Sequence, residues 1–158
     1  MDRRKFMNTG VAAGAAVMGL TAGAQAAAAK PLTILGIACS PRQGKTTATS
    51  VKAALDAAAE VHASIKIDLI DLGRLTFSGW NGSGKFAEDD FSRVIMPKLK
   101  DPDLGALIIG SPVYFRNKSS LCMAFLERLG AVRKPRLLLA DKVVGALSVG
   151  AYLSLIHI

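Results

Sequence analysis

The chain is short of the residues that build metal centres. It holds two cysteines and two histidines in 158 residues, and two cysteines cannot make a metal site of the usual four-ligand kind. Beyond residue 29 its basic residues form no run, and aromatics are only 6% of the chain. The basic stripe with interleaved aromatics that marks a nucleic-acid binder is therefore missing. No Ser/His/Asp or Cys/His pairing and no acidic pair at catalytic spacing stands out, so the residues nominate no catalytic nucleophile, acid or base. His62 reads as a surface residue near a helix end, without a role. The dinucleotide fingerprint G-x-G-x-x-G and any internal repeat are absent too.

What is present is a globular composition, 51% hydrophobic and 20% charged, at a length that suits one domain with a real core. The formal charge of +8 falls to +6 once residues 1–29 are set aside. An anionic ligand or an ordinary solvated surface accounts for that excess. Those first residues read as an address: Asp2-Arg3-Arg4-Lys5-Phe6-Met7, a weakly apolar stretch from Val11 to Gly23, then the small-x-small site Ala24-Gln25-Ala26. The paired arginines followed by x-Phe-Met resemble a twin-arginine signal, which implies a periplasmic location. An apolar stretch so poor in Leu and Ile suits export better than stable membrane insertion, the competing reading being an uncleaved anchor.

Beyond the signal, Leu32 to Ala38 is continuously apolar, as in a central parallel strand buried on both faces. Val51, Ala54, Leu55 and Ala58 fall at helical spacing between Thr46 and Glu60. Ser64 to Ile70 alternates like an edge strand, and Gly73 to Lys85 reads as a loop. A helix is expected from Glu88 to Lys100, shortened or kinked at Pro97. Leu104 to Gly110 is a second apolar strand, Ser119 to Leu129 a helix stopped at Gly130, and Lys142 to Val149 a fourth strand. This alternation predicts an α/β doubly wound parallel sheet of flavodoxin-like order, 2-1-3-4-5. In that order ligands bind where the chain leaves neighbouring strands in opposite directions, which brings together the loops at 39–47 and 110–118. A fifth strand and its helices are expected to be missing after Val149, and the tail Leu153–Ile158 (LSLIHI) reads like translated sequencing-adaptor sequence.

Strand, polar loop and helix start at Ile34–Thr47 (ILGIACSPRQGKTT) make a seat for a phosphate, through unpaired N–H groups and the positive end of the helix dipole. CSPRQGKT misses the nucleotide-binding pattern G-x-x-x-x-G-K-[ST] by its first glycine, replaced by Cys39, and Pro41 removes a further N–H. A triphosphatase also needs an acidic residue for magnesium, for which Asp71 is a weak candidate. The other reading is a monophosphate cage: the side chains of Ser40, Arg42, Thr46 and Thr47 with the N–H groups of Gln43, Gly44, Lys45, Thr46 and Thr47.

On these residues the chain is similar to the NADPH-dependent FMN reductase and iron–sulfur flavoprotein group of flavodoxin-like proteins. The motifs that carry the resemblance are SPRQGKTT, GSPVYFRNKSSLCMAFLER from Gly110 to Arg128, and ALSVG from Ala146. The resemblance implies FMN as cofactor, its phosphate held by Ser40, Arg42, Thr46 and Thr47. Pro112, Val113, Tyr114 and Phe115 would line the isoalloxazine ring, with Asn117 and Ser119 near its polar edge. Ser148, Val149, Gly150 and Ala151 would lie along its other side. The group's iron–sulfur members carry a cysteine cluster after the second strand, where this chain has FSGWNGSG from Phe77 to Gly84 without a thiol. Trp80 either caps the flavin or covers the sheet edge. Cys39 and Cys122 are either a bridge in an oxidising compartment or two buried thiols.

The expected activity is an FMN-dependent oxidoreductase of the NAD(P)H-dependent FMN/quinone reductase type, passing electrons to a small-molecule acceptor. The rival is an electron-transfer module serving a redox partner protein, because reduced nicotinamides are not expected outside the cytoplasm. A P-loop-type nucleotide binder and a fold that binds no flavin rank lower, and association into a homo-oligomer stays open. Replacing Arg3 and Arg4 together with Lys is expected to abolish export, measured by cell fractionation. Unchanged periplasmic delivery would refute the signal.

Overall fold

The computed structural model describes residues 31–83, 85–133 and 137–150. Residues 1–29, which the sequence pattern reads as an export signal, lie outside the described residues, as do Ala151 and the tail (153–158).

Strand β1 (Leu32–Ala38) is the middle of the sheet, and its last five residues are buried. It pairs in parallel with β2 (Ile65–Asp71) on one side and with β3 (Leu104–Tyr114) on the other. A two-residue strand β4 (Asn117–Lys118) folds back antiparallel on the end of β3, and β5 (Val143–Val149) pairs with β3 in parallel. The parallel order β2-β1-β3-β5 is the flavodoxin-like one, with β2 at the edge.

Alternation along β1 divides the core in two. Ile34 and Ala38 face helix α1 (Thr46–Ala59), where Ala48, Val51 and Leu55 are buried against them. Leu35, Ile37 and Cys39 point the other way, into a cluster with Leu72, Phe91, Ile95, Leu99 and Phe125. The period of two along a strand is the cause, since successive side chains leave opposite faces of the sheet. The first crossover therefore covers one face of the sheet and the two later ones cover the other, as a doubly wound sheet requires.

Three elements differ from the sequence pattern. The helix expected from Glu88 is a π-turn at Phe91–Ile95 followed by the four-residue α2 (Met96–Leu99), with Pro97 at its start. Proline cannot donate an N–H from a helix interior, so the regular helix begins only where that donor is unneeded. Helix α3 (Ser120–Arg128) does not stop at Gly130 but tightens into a 3-10 turn at Leu129–Val132. Gly130 adopts no left-handed conformation there, which the expected glycine stop needs. Finally, β3 runs four residues past Gly110, for reasons that belong to the site.

Among the described residues, one charged side chain lies inside. Arg128, 1% exposed, extends from α3 and binds both oxygens of Asp89, at 2.6 and 3.0 Å. It also donates to the carbonyls of Ser78 and Ala87, each at 3.0 Å, and stacks on Phe91 and Phe86. The long segment between β2 and α2 is thereby fastened to α3. Only Nε of Arg128 lacks a partner among the buried side-chain polar atoms of the described residues.

Burial works against the Asp89 charge, but the hydrogen bond and the charge of Arg128 outweigh it and hold the carboxyl below its ordinary value. A depressed folded-state pKa stabilises the fold above the unfolded value, near 4, and that contribution is lost as pH falls through the folded one. Arg128→Met is expected to cost about 3 kcal/mol in urea unfolding, because it strands a partly buried carboxylate and two carbonyls. The wild type should lose stability below about pH 4 more steeply than the variant. Equal acid profiles for the two proteins would refute the pairing.

Candidate functional site

Three chain segments leave the carboxyl ends of adjacent strands side by side. Ala38 lies against Gly110, and the N–H of Cys39 donates to the Gly110 carbonyl at 2.8 Å. Ser111 and Pro112 lie against Ser148 and Val149. After β1 the chain turns to α1 on one face, and after β3 it turns to α3 on the other. The crevice between them is the switch point of the sheet.

The first segment, Ser40–Lys45, is a braced loop. Ser40 is buried, and its hydroxyl accepts the N–H of Arg42 at 3.1 Å. Gly44 turns the chain with φ +62°, which a side chain would resist, and its N–H donates to Asp71 Oδ2 at 2.7 Å. Gln43 reaches away from the crevice, donating from Nε2 to the Gly73 carbonyl at 2.9 Å. Gly73 packs so closely that a Cβ there would stand 2.5 Å from the carbonyl oxygen of Ser40. Arg42, Lys45 and Thr46 are exposed, whereas Thr47 is buried in the first turn of α1. No side chain caps that turn, Lys45 being its extended first residue.

Asp71 has a structural role: its other oxygen accepts the N–H of Gly73 at 3.2 Å. Both oxygens are thus occupied by backbone donors, which leaves the magnesium reading of this residue without support. The signal for that brace is the spacing Asp71-x-Gly73 directly after a strand, an acidic side chain that turns back on its own backbone.

The second segment is a strand end and a hairpin, not the expected loop at 110–118. Beyond the last residue of β1, β3 keeps β5 as a neighbour and gains β4, where Val113 pairs with Lys118 and Tyr114 with Asn117. Pro112, buried, lies where β1 no longer pairs, so its missing N–H removes no bond from that ladder. Phe115 and Arg116 form the two-residue turn at φ +50° and +64°. Both are in the left-handed region of a type I′ turn, which favours Asn-Gly and costs ordinary residues about 1 kcal/mol or more each. Phe115 stands fully exposed at the tip, Tyr114 is half-buried below it, and Asn117 is exposed with its Oδ1 accepting the Lys118 N–H.

Ser119 then joins the parts. Its N–H donates to Ser111 Oγ at 3.1 Å. Its hydroxyl accepts the N–H of Cys122 at 3.1 Å, capping α3, and donates to the Cys39 carbonyl at 2.5 Å. The side chain is buried by this work and does not present itself to the crevice. From β5, Ser148 and Gly150 are exposed and Val149 is half-buried beside Pro112.

A cavity of about 800 Å³ lies elsewhere, between the loop after β2 and the end of α3, lined by Trp80, Phe86, Glu127, Arg133 and Leu137. Trp80 donates its backbone N–H to Glu127 at 3.1 Å and is half exposed there. That cavity collects no helix start and no strand end, so the crevice, which has both, is the stronger anion site. Among the described residues no group of three or more His, Cys, Asp or Glu could hold a metal ion, and no helix is long and apolar enough to cross a membrane.

Residues 32–155, which span this crevice, match the family model described as NADPH-dependent FMN reductase. The chain belongs to the NADPH-dependent FMN reductase family. Among solved structures, this FMN reductase family member is similar to RosB with bound 8-demethyl-8-formylriboflavin-5'-phosphate, with a TM-score of 0.63 and 16% identity. The similarity covers 80% of this chain and 55% of that one, so this chain spans little more than half of its neighbour's length. At that identity the likeness is one of fold. No curated protein matches the chain.

Ser119→Ala in this reductase-family chain removes a helix cap and leaves the buried Cys39 carbonyl without its donor. It is expected to lower the unfolding free energy by about 2 kcal/mol. A loss below about 0.5 kcal/mol in urea unfolding would show that the hydroxyl is not the joint described.

Proposed function

We propose that this chain is an FMN-binding oxidoreductase that uses NAD(P)H and passes electrons to a small acceptor. The observation that carries the reading is the contrast between the two helix starts beside the crevice. Helix α3 is capped by its own Ser119, whereas α1 begins with no side-chain cap. The first-turn N–H groups of α1 therefore suit an external anion, with the Ser40 and Thr47 hydroxyls beside them.

The residues fit the cofactor that the family implies. Arg42 and Lys45 supply positive charge to a phosphate, with Thr46 and Thr47 as hydroxyl donors. Two N–H groups of the loop are already engaged, those of Arg42 and Gly44, so the cage relies on the α1 start and these side chains. The strand end Pro112–Tyr114 would lie along the ring, with Phe115 at the tip of the turn, and Ser148 to Gly150 run alongside. Asn117 offers a polar edge. FMN, when bound, supplies the two-electron chemistry, and the chain's residues hold and orient it without a catalytic acid or base of their own.

The Arg3-Arg4 pattern favours a second reading, a periplasmic electron-transfer module that exchanges electrons with a redox protein and has no NAD(P)H activity. Both readings are separated by adding FMN to the purified protein, following the bound flavin's absorbance, then adding NADPH without oxygen. Bleaching supports the reductase and bound flavin that stays coloured supports the carrier, while a protein that binds no flavin defeats both. Arg42→Ala is expected to weaken FMN binding roughly 10- to 100-fold, the value of one charge-assisted hydrogen bond.

A further inference from the structure

The two cysteines of the chain lie 83 positions apart in sequence, and the fold brings them into one buried cluster. Cys39 directly follows β1 and Cys122 lies in the first turn of α3, both unbridged and both in the same core cluster. The Ser119 hydroxyl binds the carbonyl of the one and the N–H of the other, fixing the two backbones on either side of a single oxygen. Cys39 Sγ has a weak contact with the Ile37 carbonyl at 3.9 Å, and the interaction that perturbs both groups is the one between the two thiols.

We infer that Cys39 and Cys122 form a dithiol site that a hydroperoxide closes reversibly to an intramolecular disulfide. Their environments divide the roles. Cys39 is wholly buried, whereas Cys122 keeps 4% exposure and has the Ser111 hydroxyl and the Lys118 ammonium near it. The helix start favours negative charge on Cys122 as well. Contact with the Cys39 thiol lowers the Cys122 pKa against the opposing effect of burial, with Ser111 and Lys118 helping, while Cys122 and burial raise that of Cys39.

Cys122 is therefore the attacking thiolate and Cys39 the resolving thiol. The Cys122 sulfur attacks one peroxide oxygen, the O–O bond breaks, and hydroxide leaves; the sulfur is oxidised to the sulfenic acid and the peroxide is reduced. The Cys39 sulfur, losing its proton, then attacks the Cys122 sulfur, the S–O bond breaks, and water leaves as the S–S bond forms. Two thiols and one hydrogen peroxide become one disulfide and two waters. The bond would fasten the phosphate-loop side of the crevice to the start of α3. Nothing in this step requires FMN, so the site stands or falls apart from the proposed function.

The test treats the folded wild-type chain with hydrogen peroxide at a few equivalents, then counts free thiols under denaturing conditions and measures intact and peptide masses. Both thiols should disappear together with a mass loss of about 2 Da. A cross-linked peptide pair holding Cys39 and Cys122 should appear, and dithiothreitol should restore the thiols. The thermal midpoint of the oxidised form should rise by several degrees. Cys39→Ser should instead leave a sulfenic acid on Cys122 that dimedone traps, and Cys122→Ser should leave Cys39 unoxidised. Thiols that survive, oxidation past the sulfenic acid without a bridge, or a disulfide between two chains would each overturn the inference. The wild-type result decides the matter even if a variant fails to fold.

Discussion

The Ser119 hydroxyl is the joint on which the crevice depends. It is one oxygen with one proton, and the fold uses both functions: lone pairs for the Cys122 N–H, the proton for the Cys39 carbonyl. With the Ser119 N–H bound to Ser111, the ends of β1 and β3 and the start of α3 meet at one residue. A buried backbone carbonyl and a helix-start N–H would otherwise each lack a partner, so the arrangement is held from several sides at once. The same joint sets the two cysteines opposite each other, which is how a structural cap and a redox site come to share one place.

Around this joint the two loops are stiffened by different means. The first is pinned from behind by Asp71 and Gln43, whose partners lie on its own backbone and on the turn after β2. The second is held by strand pairing, and its Phe115-Arg116 turn carries unfavourable φ values that only the flanking ladder can enforce. On the proposed function, strain kept at the rim of the crevice fixes a wall before the cofactor arrives, which reduces the ordering cost of binding. Farther out, Arg128 and Asp89 fasten the irregular segment after β2 to α3.

Much of the fold was legible in the residues. Period-two alternation, the apolar runs of β1 and β3 and the stripe of α1 follow from which side chains water rejects, and they order the sheet once crossover handedness is added. The candidate loops were legible as well, because strand order places them together. Less legible was anything that needed two distant segments at once. Asp71 reads locally as a candidate metal ligand, but its carboxylate accepts the Gly44 N–H; Ser119 reads as a polar edge, but both functions of its hydroxyl are occupied. The continuation of β3 through Ser111-Pro112 contradicted a local turn signal, since β4 and β5 supply neighbours that a proline-containing stretch does not advertise.

By itself the sequence determined the class of fold, the family and the two motifs that face the crevice, because hydrophobic period and turn chemistry act over a few residues. The tertiary structure alone decided that Asp71 takes the Gly44 N–H of the loop after β1, that Arg128 is an interior charge, and that Cys39 and Cys122 share one core cluster across 83 positions of chain. Those outcomes depend on hydrogen bonds and burial between segments far apart in the chain. Such contacts are directional and short-ranged, and no local pattern encodes them.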